Sequence, residues 1–67
     1  MGYRLKNRIR RYRIQEGLSQ TELAALAKTT QNTISSLETG QYSPTAYTAL
    51  LIAMALGKKF DDVFYLE

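Results

Sequence analysis

The chain has 67 residues, of which 45% are hydrophobic, and it carries a formal net charge of +3. This length allows a single domain, residues 1–67, and this composition excludes an intrinsically disordered chain. The absence of cysteine excludes a disulfide framework and a thiolate zinc site. No apolar stretch has the length of a membrane span. We therefore expect a cytoplasmic protein with no metal, no other cofactor, no membrane partner and no evident small-molecule ligand.

Basic side chains crowd the N-terminal part of the chain. They are Arg4, Lys6, Arg8, Arg10, Arg11 and Arg13. A run of this kind is usually a solvated helix face, but it also attracts the phosphates of a polyanion. Charge alone leaves both interpretations open.

Hydrophobic spacing predicts a first helix from about Leu5 to Glu16. Leu5, Ile9 and Tyr12 stand at positions i, i+4 and i+7 and form one apolar stripe. Gly17 follows as a C-terminal stop.

Capping residues predict two further short helices. Ser19 and Glu22 form a capping box that starts a helix over about 20–27, with Leu18 and Leu23 as a hydrophobic staple. Thr30 is the N-cap of a helix over about 31–38, which ends near Gly40.

The second half of the chain predicts two more helices. Ser43 as cap and Pro44 as first residue start a helix that runs to about Leu56 and ends at Gly57. A short helix over 59–64 follows. No segment alternates with the period of a strand, so the predicted fold class is all-α with no sheet.

The second and third helices together describe a helix-turn-helix, because a tight turn joins them and the later helix has a polar outer face. The DNA major groove admits one α-helix, and amide side chains match the N6 and N7 edge of adenine. Gln31 and Asn32 stand at the start of the third helix, where this motif meets base edges.

Residues 18–24 (LSQTELA) and 30–40 (TQNTISSLETG) resemble the Cro/repressor-type (XRE) helix-turn-helix family of phage repressors and small bacterial regulators. The resemblance extends over about residues 5–64. It implies a compact five-helix, lambda-repressor-like DNA-binding domain that binds double-stranded DNA sequence-specifically through a recognition helix at about 31–38. The implied activity is transcriptional regulation, most simply repression.

The resemblance also implies roles for individual residues. Base contacts are expected from Thr30, Gln31, Asn32, Ser35 and Ser36. Contacts with the DNA backbone are expected from Gln20, Lys28, Thr39, Tyr42 and Ser43, although Tyr42 is equally suited to packing under the connector. Arg13 and Glu38 match a structural ion pair.

Two residues depart from the family pattern. Lys28 stands where glycine is usual in the turn, so a left-handed backbone there would be strained by about 1 kcal/mol or somewhat more. Thr29 stands where an aliphatic residue is usually buried.

The predicted fourth helix has almost no polar face. We expect Leu50, Ile52, Ala53 and Leu56 to serve the core. The remaining stripe predicts a homodimer interface, which would present two recognition helices to a near-palindromic operator. Its residues are Tyr47, Leu51 and Met54, with Phe60 and Tyr65.

A second function stays open, in which the chain is an antitoxin or accessory module whose apolar stripe binds another protein and whose DNA binding is autoregulatory. An enzyme is not expected, because the sequence has no histidine, no cysteine and no glycine-rich phosphate loop.

Overall fold

Five short helices and a two-stranded sheet make up the fold, and the computed structural model describes residues 2–41 and 43–67. In chain order the elements are β1 (Leu5–Asn7), α1 (Ile9–Gln15), α2 (Gln20–Leu26), α3 (Gln31–Glu38), α4 (Ala46–Ala55), α5 (Phe60–Val63) and β2 (Phe64–Leu66). The prediction for Tyr42 lies outside the described residues.

Side-chain caps define where α2 and α3 begin. The Ser19 hydroxyl accepts the Glu22 N–H at 3.0 Å, and the Glu22 carboxylate accepts the Ser19 N–H at 2.8 Å. At the start of α3, the Thr30 hydroxyl accepts the Thr33 N–H at 3.2 Å. Both predicted caps are confirmed, and each observed helix ends within a residue of its predicted bounds.

The cap of α4 differs from the prediction. Thr45, and not Ser43, is the N-cap, because its hydroxyl accepts the N–H of Thr48, the third residue of the helix, at 3.2 Å. Pro44 consequently lies before the cap and is not the first helical residue. Thr45 can act as the cap because its backbone is extended, with φ −67° and ψ 160°, which is the conformation that an N-cap requires.

The prediction that the chain has no sheet is wrong. Strands β1 and β2 pair antiparallel, with Leu5 opposite Leu66 and Asn7 opposite Phe64. Leu5 therefore belongs to a strand, and the first helix begins only at Ile9. The same pairing shortens the fifth helix to four residues, because Phe64 is already extended. The all-α prediction is thus approximate.

The side chain of Asn7 explains why the first helix starts where it does. Its amide oxygen accepts the N–H of Ile9 at 3.1 Å, and its amide nitrogen donates to the carbonyl of Leu37 at 2.9 Å. One side chain therefore closes β1, supports the first turn of α1 and ties both to the end of α3.

The core lies where the five helices and β2 meet. Its fully buried large side chains are Ile9, Leu23, Ile34, Leu37, Ile52 and Val63. Leu50, predicted to serve this core, is half exposed instead, whereas Leu51 packs against it. Within the described part of the chain, no helix combines the length and the apolarity that crossing a membrane requires.

Candidate nucleic-acid interface

The turn between α2 and α3 is built around a left-handed lysine. Lys28 has a φ of +56°, the one positive φ outside glycine among residues 2–41 and 43–67. Its N–H donates to Ala25 and that of Thr29 donates to Ala24, which closes the end of α2. Lys28 therefore adopts the left-handed conformation that is strained for a residue other than glycine. Thr29 is half-buried, as expected of a polar residue in an aliphatic position.

Helix α3 buries one side in the core and exposes the other to solvent. Ile34 and Leu37 have no exposed surface and anchor the helix to the core. The predicted base-contacting side chains occupy the opposite side. Gln31 and Asn32 are exposed there, and Ser35 and Ser36 are partly exposed. The structure therefore brings the predicted residues together as one uncharged polar face.

A chain of hydrogen bonds leads from this face into the interior. The Gln31 amide nitrogen donates to the Gln20 side-chain oxygen at 2.6 Å. The Gln20 nitrogen donates to a Glu38 carboxylate oxygen at 3.0 Å. Glu38 in turn accepts from Nε of Arg13 at 2.7 Å and from Nη2 at 3.3 Å. The predicted ion pair is therefore present and carries a connection to α2 and α3 as well.

The inner end of this chain is well shielded from solvent. The side chains of Arg13 and Glu38 are only 13% and 5% exposed, and Arg13 donates additionally to the carbonyl of Leu18 at 2.8 Å. Because both charges are hydrogen-bonded as well as paired, these bonds offset the free-energy cost of removing the charges from water. Glu38 also accepts from the Gln20 amide and so fixes it as a support for Gln31.

Among residues 2–41 and 43–67, this arrangement leaves defined donors and acceptors free at the surface. A glutamine amide has two N–H groups and one carbonyl oxygen. Gln31 uses one N–H internally and keeps its oxygen and its second N–H. Gln20 keeps one side-chain N–H and, as the first residue of α2, a backbone N–H without an acceptor inside the helix.

Threonine hydroxyls beside α3 are occupied by the helix itself. The Thr30 hydroxyl accepts the Thr33 N–H, and the hydroxyl groups of Thr30 and Thr33 share one hydrogen bond at 2.9 Å. Thr39 donates to the carbonyls of Ser35 and Ser36 at 3.2 and 3.1 Å. The Thr39 hydroxyl proton is therefore already used within α3, whereas that of Thr30 is used only where Thr30 is the donor to Thr33. Ser43 is exposed.

The residues predicted to form a dimer interface do not all share one surface. Tyr47 and Met54 are 69% and 74% exposed, and Leu50 at 50% completes their stripe at spacing i, i+3, i+7. Leu51 is correspondingly turned toward the core. Phe60, although 41% exposed, stacks on Phe64 at 5.1 Å. We define Tyr47, Leu50 and Met54 as the α4 face.

Tyr65 lies on the hairpin formed by β1 and β2. It is opposite Lys6 in the register, and the Arg8 guanidinium stands over its ring at 4.0 Å from the centroid. The ring is only partly exposed. This contact covers one side of the Tyr65 ring.

Local electrostatics favour the start of α2. The N–H of Ser19, with a further contribution from its hydroxyl, holds the pKa of Glu22 below its ordinary value. The ionised carboxylate also lies in the first turn of α2, where the helix dipole favours negative charge.

Sequence reasoning missed Asn7 as part of this architecture. Its partner, the carbonyl of Leu37, is 30 residues away in sequence, so no local sequence motif predicts the contact. The supporting bond between Gln20 and Gln31 was missed for the same reason, although both residues were predicted to contact DNA.

Comparison with known proteins agrees with this geometry. A family model described as helix-turn-helix matches residues 9–63. The chain is 36% identical over 63 residues to the uncharacterized HTH-type transcriptional regulator YgzD of Bacillus subtilis, covering 94% of this chain and 96% of YgzD. It is 42% identical over 64 residues to an uncharacterized HTH-type transcriptional regulator of Methanothermobacter thermautotrophicus, covering 94% of this chain and 93% of that one.

A solved structure shares the fold. The clp gene regulator ClgR from Corynebacterium glutamicum superposes with a TM-score of 0.76 at 26% identity over 81% of this chain. The match covers 57% of the ClgR chain, so the likeness concerns one part of that protein.

Proposed function

The chain belongs to the Cro/repressor-type (XRE) helix-turn-helix family, and from that membership we propose that it binds double-stranded DNA sequence-specifically and regulates transcription. Helix α3 is the proposed recognition helix. The observation that carries the proposal is the supported amide of Gln31, held by Gln20 at the exposed start of α3.

The donor pattern of Gln31 favours adenine as its target. Adenine offers the N6 amino group as a donor and N7 as an acceptor in the major groove. The free oxygen and second N–H of the Gln31 amide match that pair once Gln20 has taken the other N–H. Asn32, Ser35 and Ser36 extend the same face to neighbouring base pairs, and the methyl group of Thr30 suits a thymine methyl.

Backbone contacts complete the proposed docking. The free N–H groups at the start of α2 suit a phosphate oxygen, and Gln20 supplies the first of them. Lys28 and Ser43 are exposed beside the two ends of α3 and are proposed to contact phosphates there. These contacts set the position of α3 without discriminating between sequences.

The test is selection of bound duplexes from a random DNA pool at low and physiological salt. We expect one sequence to be enriched and to stay bound at the higher salt. On that duplex, Gln31→Ala should weaken binding by roughly 1–3 kcal/mol and relax the preference at one base pair. Binding that does not depend on sequence and disappears at the higher salt would contradict the proposal, because such binding needs only attraction to phosphates.

We further propose that the protein acts as a homodimer through the α4 face. Two bulky apolar side chains that are more than two-thirds exposed, with a half-exposed leucine between them, make an apolar stripe. Such stripes on small domains mark interfaces. A two-fold dimer would place two recognition helices about 34 Å apart on a near-palindromic operator, and occupancy of a promoter by that dimer would repress it.

Sedimentation velocity distinguishes a homodimer from a monomer that binds a different protein. The wild type should sediment as a dimer, whereas Met54→Glu should be monomeric and should bind the selected inverted repeat more weakly. A matched change at the exposed Gln15, Gln15→Glu, adds the same charge outside both the α4 face and the proposed DNA contacts and serves as the control. A monomeric wild type that co-purifies with another protein at fixed stoichiometry would support the antitoxin or accessory function instead.

A further inference from the structure

The N-terminal segment lies beside the C-terminal end of α3, and a cleft opens between them. The cleft has a volume of about 440 Å³, and its walls are residues 3–6 on one side and Thr39, Gly40 and Ser43 on the other. A smaller cleft of about 130 Å³ continues along β1 to Asn7. The end of the proposed recognition helix therefore has a second wall that comes from a distant part of the sequence.

The basic wall of the cleft is held in place by the hairpin. Arg4 exchanges two backbone hydrogen bonds with Glu67, at 2.8 and 2.9 Å, which extends the pairing of β1 and β2. Asn7 fastens the other end of β1 to the carbonyl of Leu37 at 2.9 Å. Lys6 and the backbone of Arg4 consequently occupy fixed positions, so that binding there would order only the side chains.

The charges on this wall are not neutralised by an ion pair. Across residues 2–41 and 43–67, the single pair within 4 Å joins Arg13 and Glu38. Glu38 also lines the smaller cleft with Lys6, but its oxygens already accept from Arg13 and Gln20. Glu67 pairs with Arg4 through backbone atoms and does not line the cleft.

The negative end of α3 opposes an anion only weakly. A helix end carries about half an elementary charge, against two full positive charges on Arg4 and Lys6. The carbonyl of Leu37 is moreover satisfied by Asn7 and by the N–H of Gly40. The balance in the cleft is therefore positive.

We propose that this cleft binds a phosphate group of the DNA backbone, with Arg4, Lys6 and the Ser43 hydroxyl as donors. The hydroxyl proton of Thr39 is committed to α3, so Thr39 shapes the cleft without donating. The volume lies within the roughly 300–1,000 Å³ of small-molecule pockets, and so admits the adjoining sugar as well as the phosphate. This proposal rests on the proposed function and extends its footprint beyond the helix-turn-helix.

The salt dependence of binding tests the cleft. The double variant Arg4→Gln/Lys6→Gln removes two charges from it, and Lys58→Gln/Lys59→Gln removes two from outside it. The cleft holds one phosphate, so its loss should reduce the magnitude of the slope of log K against log salt by about 0.9 per protomer. With equal affinities at about 1 M salt, this change corresponds to an affinity loss of about 8-fold per protomer at about 0.1 M salt. The control variant should keep the wild-type slope, and thermal unfolding checks that both variants are folded.

The outcomes distinguish this proposal from the function on which it rests. A wild type that binds duplex DNA while the cleft variant keeps its slope, or shifts no more than the control, would overturn the cleft alone. A wild type that binds no duplex would overturn both.

Inorganic phosphate, titrated alone and followed by NMR at the amides of Lys6, Gly40 and Ser43, distinguishes the source of the anion. Saturation at micromolar concentration would assign the cleft to free phosphate and overturn the DNA contact. Weak, non-saturating shifts are the expected result.

Discussion

Replacing Lys28 by glycine should stabilise the fold and weaken DNA binding at the same time. At a φ of +56°, the lysine Cβ is close to the following carbonyl, a conformation that disfavours a non-glycine residue by about 1–2 kcal/mol. Glycine relieves this strain but gives the unfolded chain additional entropy, which offsets roughly 0.4–1 kcal/mol. The expected net gain for Lys28→Gly is therefore about 1 kcal/mol, or about 4–8 °C in Tm for a domain of this size.

Two readouts separate the backbone of Lys28 from its charge. Lys28→Gly and Lys28→Ala both remove the ammonium group, so each should lower the salt slope of DNA binding by about 0.9 if that group contacts a phosphate. Only Lys28→Gly relieves the left-handed strain, so only this variant should raise the Tm in circular dichroism melts. Equal stabilisation by the alanine variant would refute the argument from backbone strain. An unchanged salt slope in both variants would refute the phosphate contact of Lys28.

Three further perturbations test the supports of the site. Arg13→Met strands the carboxylate of Glu38 and should lower the free energy of unfolding by about 3–5 kcal/mol in urea titrations; a loss below 1 kcal/mol would mean that the pair is effectively solvated. Asn7→Ala removes two part-buried hydrogen bonds and should destabilise by about 1–3 kcal/mol, whereas an unchanged urea midpoint would show that water replaces the amide. Because the folded pKa of Glu22 is lowered, its contribution is present above the unfolded value near 4.5 and is lost as the pH falls through the lowered folded value. Glu22→Gln should remove that pH-dependent part of the stability, and melts of both proteins between pH 6 and pH 3 on parallel curves would contradict the shift.

Local chemistry explains which parts of the fold were predictable. The helices of the motif begin at Ser19 and Thr30, whose hydroxyls accept N–H groups three residues later. Because both partners of such a cap lie within one turn, four residues of sequence contain the whole signal. The bounds of α2 and α3 were accordingly confirmed.

Long-range pairing explains the errors. Strand β1 has three residues, too few for a recognisable alternation, and its partner β2 is about 60 residues away in sequence. The spacing of Leu5, Ile9 and Tyr12 satisfies a helix equally well, and all three do pack against the core. Their pattern therefore predicted burial correctly and secondary structure incorrectly at Leu5.

The rotation of α4 shows a different limit. A helix whose positions are nearly all apolar has no polar face to indicate which side turns outward. Both Leu50 and Leu51 fitted the core, and packing selected Leu51 while leaving Leu50 half exposed. The existence of an apolar outer stripe was predictable, but the identity of its central residue depended on tertiary contacts.

The placement of charge around α3 supports a division between affinity and discrimination. The charged residue of the helix, Glu38, has a side chain only 5% exposed, so the outer face of α3 is polar and uncharged. The exposed charges nearby, Lys28 in the turn and Lys6 and Arg4 on the hairpin side, lie outside the helix. Counterion release makes a charged contact depend on salt, whereas an amide's hydrogen bonds to a base do not release counterions. Substitutions at the charged positions should therefore change the salt slope and leave base preference intact, while Gln31→Ala should do the reverse; mixing of the two effects at any one of these residues would show that it contacts both base and phosphate.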